Sequence, residues 1–129
     1  MKQAYLKFPN NEWAVIIVFD FDVDLEYVEL KAQLRSFGLS SKSADKALSI
    51  LSCYNTGMAV SVPDLKMSAI YISKSTSPSE FYSTAIHECI HVADSILDWY
   101  GESWHGEPSA YLVGYMTKEI VEMIGEPCI

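Results

Sequence analysis

Long apolar runs are missing from this 129-residue chain: the longest, Trp13 to Phe19, is strand-sized, far short of the roughly 20 residues that cross a bilayer. No membrane partner is expected. Basic residues are also scarce. Nine Lys and Arg stand against seventeen Asp and Glu, for a formal net charge of −8. Without clustered cations there is no grip on a phosphate backbone, so nucleic acid is not expected as a partner. Cysteine is limited to Cys53, Cys89 and Cys128, an odd number with no paired metal-ligand spacing. That argues against a disulfide framework and for a reducing compartment, with the cytoplasm as the expected location. The opening residues Met1-Lys2-Gln3-Ala4-Tyr5 lack the charged, apolar and small-residue succession of a secretory signal. No internal repeat, low-complexity tract or linker divides the sequence, so residues 1–129 are expected to form one domain.

Apolar and aromatic residues, by contrast, are plentiful: half of the chain is hydrophobic and 12% is aromatic, enough to bury one core without staples. Glu12 to Phe21 carries a β-branched and aromatic run that suits a central strand covered on both faces. After Asp20, Asp22 and Asp24, apolar residues recur at helical spacing from Leu25 to Phe37, and Gly38 ends that helix. Ser40 to Ser43 can cap a second helix running to about Asn55-Thr56-Gly57. Two short strands, Met58 to Val62 and Met67 to Ser73, follow around a Pro63-Asp64 turn. Ser77-Pro78 opens a long helix to about Trp99, with Phe81, Ala85, Cys89, Val92 and Ile96 as its buried stripe. Pro108 opens a last helix to about Ile124. The expected fold class is α+β, a small mixed or antiparallel sheet packed on helices.

The long helix contains His87-Glu88-Cys89-Ile90-His91. Two histidines four positions apart are rotated by only about 40° on a helix, so both imidazoles leave one face and can grip one metal ion. Glu88 lies beside that metal, where a carboxylate can take a proton from a bound water. With three histidines in the chain, the pattern arises by chance in roughly one shuffled sequence in 200, so a merely polar helix face is the weaker explanation. Cys89 turns to the buried side and reads as a small apolar filler, not a nucleophile.

A catalytic zinc usually has three protein ligands and one open position. Asp94, Asp98, Cys53, His105 and Glu107 are the candidates for the third. Asp94 and Asp98 share the histidines' face, but a straight helix seldom wraps one metal over three turns. Glu107 is better placed, at the start of the next helix, where the chain can return antiparallel. Ala110 and Gly114 would let that helix approach closely. Glu107 could equally cap its own helix against the dipole.

These residues resemble the gluzincin-type metallopeptidases of the zincin fold, in which H-E-x-x-H on one helix is completed by a glutamate on the next. The likeness covers His87 to about Gly114. The chain is similar also to small peptidases of phages and mobile elements, the ImmA/IrrE group, which pair the motif with Glu-x-x-Ala; here that stretch is Glu107-Pro108-Ser109-Ala110. The resemblance implies a minimal zincin-like domain, Zn2+ held by His87, His91 and Glu107, and Glu88 as general base. Metzincins are excluded by Asp94 and Leu97, which stand where that family has glycine and a third histidine. The long glutamate motif of the large gluzincins is also absent.

The expected function is zinc-dependent hydrolysis of a bond in a peptide or protein substrate. His105, Tyr100 and Tyr111 could supply a donor to the developing oxyanion. His105 and Tyr111 are carried with Glu88 as the candidate catalytic residues. Two other readings stay open. In one, a non-catalytic interaction domain is stabilised by the same zinc. In the other, Cys53 acts as an upstream ligand in a deformylase-like amide hydrolase, although that family's glycine-rich and glutamine-containing motif is missing. The sequence does not determine the oligomeric state.

Overall fold

The computed structural model of the chain describes residues 1–10, 12–101, 107–127 and 129. In chain order the elements are strands β1 (Lys2–Lys7) and β2 (Ala14–Phe19), helices α1 (Tyr27–Ser36) and α2 (Ser41–Leu51), strands β3 (Gly57–Val62) and β4 (Met67–Ile72), and helices α3 (Pro78–Trp99) and α4 (Glu107–Ile124). The four strands form one mixed sheet in the order β1-β2-β4-β3. β2 runs antiparallel to β1 and parallel to β4, while β3 and β4 form an antiparallel hairpin. With four helices, the fold is α+β, as expected from the sequence.

The apolar run of β2 is central and covered on both faces. Val15 and Ile17 face a core shared with α3 and α4, whereas Ile16 and Val18 face one shared with α1 and α2. β4 divides in the same way, with Ile70 and Ile72 toward α3 and α4, and Ala69 and Tyr71 toward α1 and α2. This is the period-two alternation of a strand applied to residues that are all apolar, because neither face meets water. Ile17, Ile70 and Ile72 are fully buried, and each such side chain contributes about 1.5 to 3 kcal/mol of burial. Trp13, also fully buried, satisfies its indole N–H on Ser68 Oγ at 3.0 Å.

Both longer caps form as the hydroxyl residues suggest. Ser40 Oγ accepts from Ser43 N at the start of α2, and Ser77 Oγ accepts from Glu80 N at the start of α3. Three features depart from the sequence reading. β1 carries no run of apolar residues and was not foreseen; only Leu6 in it is buried, as suits a charged edge strand. The parallel pairing of β2 with β4 links residues about fifty positions apart, which no local pattern encodes. Finally, α2 ends at Leu51, not at Gly57. Thr56 Oγ1 donates within reach of both the Ile50 and Cys53 carbonyls, and Asn55 takes a left-handed φ of 59°. The turn is thereby closed early, and Gly57 becomes the first residue of β3.

Candidate metal centre

α3 brings His87, Glu88 and His91 together, with one ligand atom from each lying within 4.8 Å of the others. The two imidazoles meet at their tips, His87 Nε2 and His91 Nε2 being 3.3 Å apart. Both histidines are exposed, and Glu88 is only 4% exposed. The difference follows from the helix. Phe81, Ala85, Cys89 and Val92 are buried toward the sheet, and Glu88 stands on the flank of that stripe nearest the edge strand β3. His87 and His91 stand further round, toward solvent.

The donor set fits a metal ion. Two nitrogens, each about 2.0 to 2.1 Å from one tetrahedral zinc, are separated by about 3.3 to 3.4 Å. The observed 3.3 Å matches that span. Imidazole nitrogens with a carboxylate nearby suit zinc and its first-row neighbours. Burial pushes the Glu88 carboxyl above the ordinary carboxylate range, and the adjoining His87 and His91 pull it back part of the way. A carboxylate whose proton affinity is raised in this way is a better base.

Beside the pair lies a groove of about 370 Å³ whose walls include Asn55, Thr56, Gly57, Glu80, Thr84 and Glu88. Asn55 is locked there: its Oδ1 accepts from Thr76 N, its Nδ2 donates to Thr76 Oγ1, and its backbone N–H donates to the Lys74 carbonyl. Gly57 sits closest to the motif. A Cβ on it would stand 2.7 Å from Thr84 Cγ2, 3.0 Å from the Tyr71 carbonyl oxygen and 3.1 Å from Glu88 Cγ. Sequence reasoning missed Gly57, Thr84 and Asn55 as site residues. The only signal was an Asn-Thr-Gly stretch that reads as a helix stop.

The other residues singled out from the sequence are placed as follows. α4 packs antiparallel on α3, with the Tyr82 hydroxyl near the start of α3 donating to the Gly125 carbonyl just past α4, but not through the expected face. Ala110 and Gly114 are exposed, a Cβ on Gly114 would meet nothing within 4 Å, and the bulkier Leu112, Met116 and Ile120 are the buried side chains. On an ideal helix, the side chains α3 turns toward α4, Tyr82, Ile96, Leu97 and Tyr100, centre roughly 150° from the two histidines. Glu107 is exposed at the first residue of α4 and is not a member of the ligand group. Tyr111 is 65% exposed and lines a different cavity, with Phe8, Leu97 and Tyr100, on the α4 flank. His105 lies outside the described residues.

Cys53 is exposed, its thiol directed at the Ser49 carbonyl at 3.9 Å, and it too is outside the ligand group. Cys89 is buried, which pushes its thiol up to about 12, as its filler role requires. Asp94 is half-buried, and its Oδ1 finds no hydrogen-bond partner among the described residues; Asp98 is exposed. No helix among the described residues is long and apolar enough to cross a membrane. No protein-family model, no curated protein and no solved structure matches this chain.

Proposed function

We propose that this protein is a zinc-dependent hydrolase of peptide bonds, with His87 and His91 as metal ligands and Glu88 as general base. The observation that carries the proposal is the 3.3 Å separation of the two Nε2 atoms. It equals the span of two ligands on one tetrahedral ion; without an ion the same distance is a hydrogen bond donated by whichever Nε2 carries its proton.

When bound, zinc supplies a Lewis acid that polarises a carbonyl and lowers the pKa of a water towards about 7. The rest falls to the chain. His87 and His91 stay neutral to donate lone pairs, and one helix fixes their spacing without help from any loop. Glu88, buried and raised in proton affinity, accepts the proton of the attacking water and returns it to the leaving amine. The adjoining groove, walled in part by Asn55, Thr56 and Thr84, is where an extended peptide would lie. Exposure of both histidines favours an open, catalytic site over a closed structural one, which would surround its ion with protein.

A minimal zincin-like scaffold, as in the small peptidases of mobile elements, is the class the motif resembles. The likeness is carried by His87, Glu88 and His91; the flank on which α4 packs gives Glu107 no support as the third ligand.

The test has two arms. Zinc titrated into metal-free protein by calorimetry should bind at one equivalent and should not bind the His87→Ala, His91→Ala double variant. Zinc-loaded protein should cleave fluorescein-labelled casein, with Glu88→Gln retaining zinc and losing cleavage. Absence of zinc binding at neutral pH refutes the metal centre. Zinc binding with equal casein cleavage by wild type and Glu88→Gln refutes the role of Glu88.

A further inference from the structure

The position of Gly57 is not explained by backbone conformation, because among the described residues the glycines with positive φ are Gly38, Gly101 and Gly125. Nor is it a turn residue: it opens β3, paired with Ile72 of β4. A glycine within a strand that needs no unusual φ marks a close approach of another group. Here that group is α3, at Thr84 and Glu88.

Neither side can retreat. β3 is hydrogen-bonded along β4 in register from Gly57↔Ile72 to Val62↔Met67. α3 is held by Ala85, Cys89 and Val92, buried in the same core as Ile70 and Ile72. Of the three atoms a Cβ would crowd, the Tyr71 oxygen is backbone, while Thr84 Cγ2 and Glu88 Cγ belong to side chains. Thr84 Cγ2, at 2.7 Å, must shift, and Glu88 Cγ, at 3.1 Å, must give by a few tenths of an ångström. Glu88 is the one that matters chemically, since its methylene lies against the bare Cα of the edge strand.

Resting on the metal-hydrolase reading, we propose that Gly57 is a positioning residue for Glu88: the missing side chain on β3 is the slot that holds the Glu88 carboxylate beside His87 and His91. Gly57 lines the groove, but in this role it positions Glu88 and holds no metal. It acts by leaving Glu88 one place to go.

The experiment compares wild type, Gly57→Ala, Glu88→Gln and the Gly57→Ala, Glu88→Gln double variant, each loaded with Co2+, by the visible absorption of the bound ion at one pH. Gly57→Ala is expected to leave Co2+ stoichiometry unchanged and to move the band in the direction that Glu88→Gln moves it. The double variant should show no further displacement, because both changes act on the same carboxylate. Gly57→Ala, Thr84→Ser removes the closest contact, at 2.7 Å; it should recover melting temperature but not the wild-type band. Where zinc-loaded wild type cleaves labelled casein, Gly57→Ala should lower kcat by up to about 100-fold, a larger factor than any change in KM, as expected for a misplaced catalytic group.

A wild-type band in Gly57→Ala overturns the proposal. So does an equal displacement in the wild-type and Glu88→Gln backgrounds, recovery of the band by Thr84→Ser, or failure of both Gly57 variants to fold. Failure of wild type to bind Co2+ overturns the metal centre itself. Co2+ binding without casein cleavage counts against the hydrolase reading alone and leaves the spectral comparison decisive.

Discussion

Zinc should raise the melting temperature of the metal-free protein, and the rise should depend on His87 and His91 but not on Glu107. An ion that binds the folded state and not the unfolded chain stabilises by about 2.7 kcal/mol at a free concentration a hundred times its Kd. For a chain of this length the unfolding entropy is about 0.27 kcal/mol/K, so the melting temperature should rise by about 10 °C. The two nitrogens already stand 3.3 Å apart in the folded chain, so little of this is spent on rearrangement. Both rings are exposed, so replacing either with alanine should itself change stability by no more than about 0.5 kcal/mol. The loss of the zinc effect can then be read cleanly. Differential scanning fluorimetry with and without zinc, on wild type, His87→Ala, His91→Ala and Glu107→Gln, gives the answer. The first two variants should lose most of the shift. Glu107→Gln should keep it, because α4 packs on the other flank of α3. A shift that survives in both histidine variants, or vanishes in Glu107→Gln, would refute the reasoning.

Glu88 has a raised proton affinity in the folded protein, so the folded state holds its proton to higher pH than the unfolded chain does. Stability therefore falls as pH rises from the ordinary carboxylate range through the folded value. In metal-free protein, Glu88→Gln should raise the melting temperature at pH 7 and have no such effect below about pH 4, near the ordinary Glu value; an equal effect at both would refute the burial argument. Ser77→Ala removes the hydroxyl that accepts from Glu80 N and should cost about 1 kcal/mol in urea unfolding. It should leave zinc stoichiometry unchanged, because the cap lies at the far end of α3 from His91. Iodoacetamide at pH 8 should modify exposed Cys53 quickly and leave Cys89, buried with its thiol pushed up to about 12, unmodified until the protein unfolds. Mass mapping of the alkylated peptides decides this, and rapid labelling of Cys89 would contradict its burial.

Local pattern carried a great deal of this protein. The unbroken apolar composition of Ala14–Phe19, the Ser77-Pro78 start of α3 and the spacing of His87 and His91 are each set by chain geometry within a few residues. The central strand, the motif helix and the shared face of the two imidazoles were therefore legible before any contact was known. The fillers were legible too: Phe81, Ala85, Cys89, Val92 and Ile96 recur at helical spacing and are all buried.

What local pattern could not carry is the set of contacts between distant parts of the chain. β1 holds its place by hydrogen bonds to β2 and by a single buried side chain, Leu6, not by a long apolar run. The parallel pairing of β2 with β4 depends on the crossover through α1, α2 and β3. The flank of α3 on which α4 settles is a packing outcome, because α3 presents apolar surface on more than one side, including the half-exposed Ile86 and Ile90. Sequence spacing alone favoured the histidine side for Glu107. Likewise, the close approach of Gly57 to Glu88 joins a strand and a helix thirty-one positions apart. Helical periodicity alone determined which residues could hold a metal; only the tertiary structure decided what stands beside them, because that depends on how whole elements exclude water against one another.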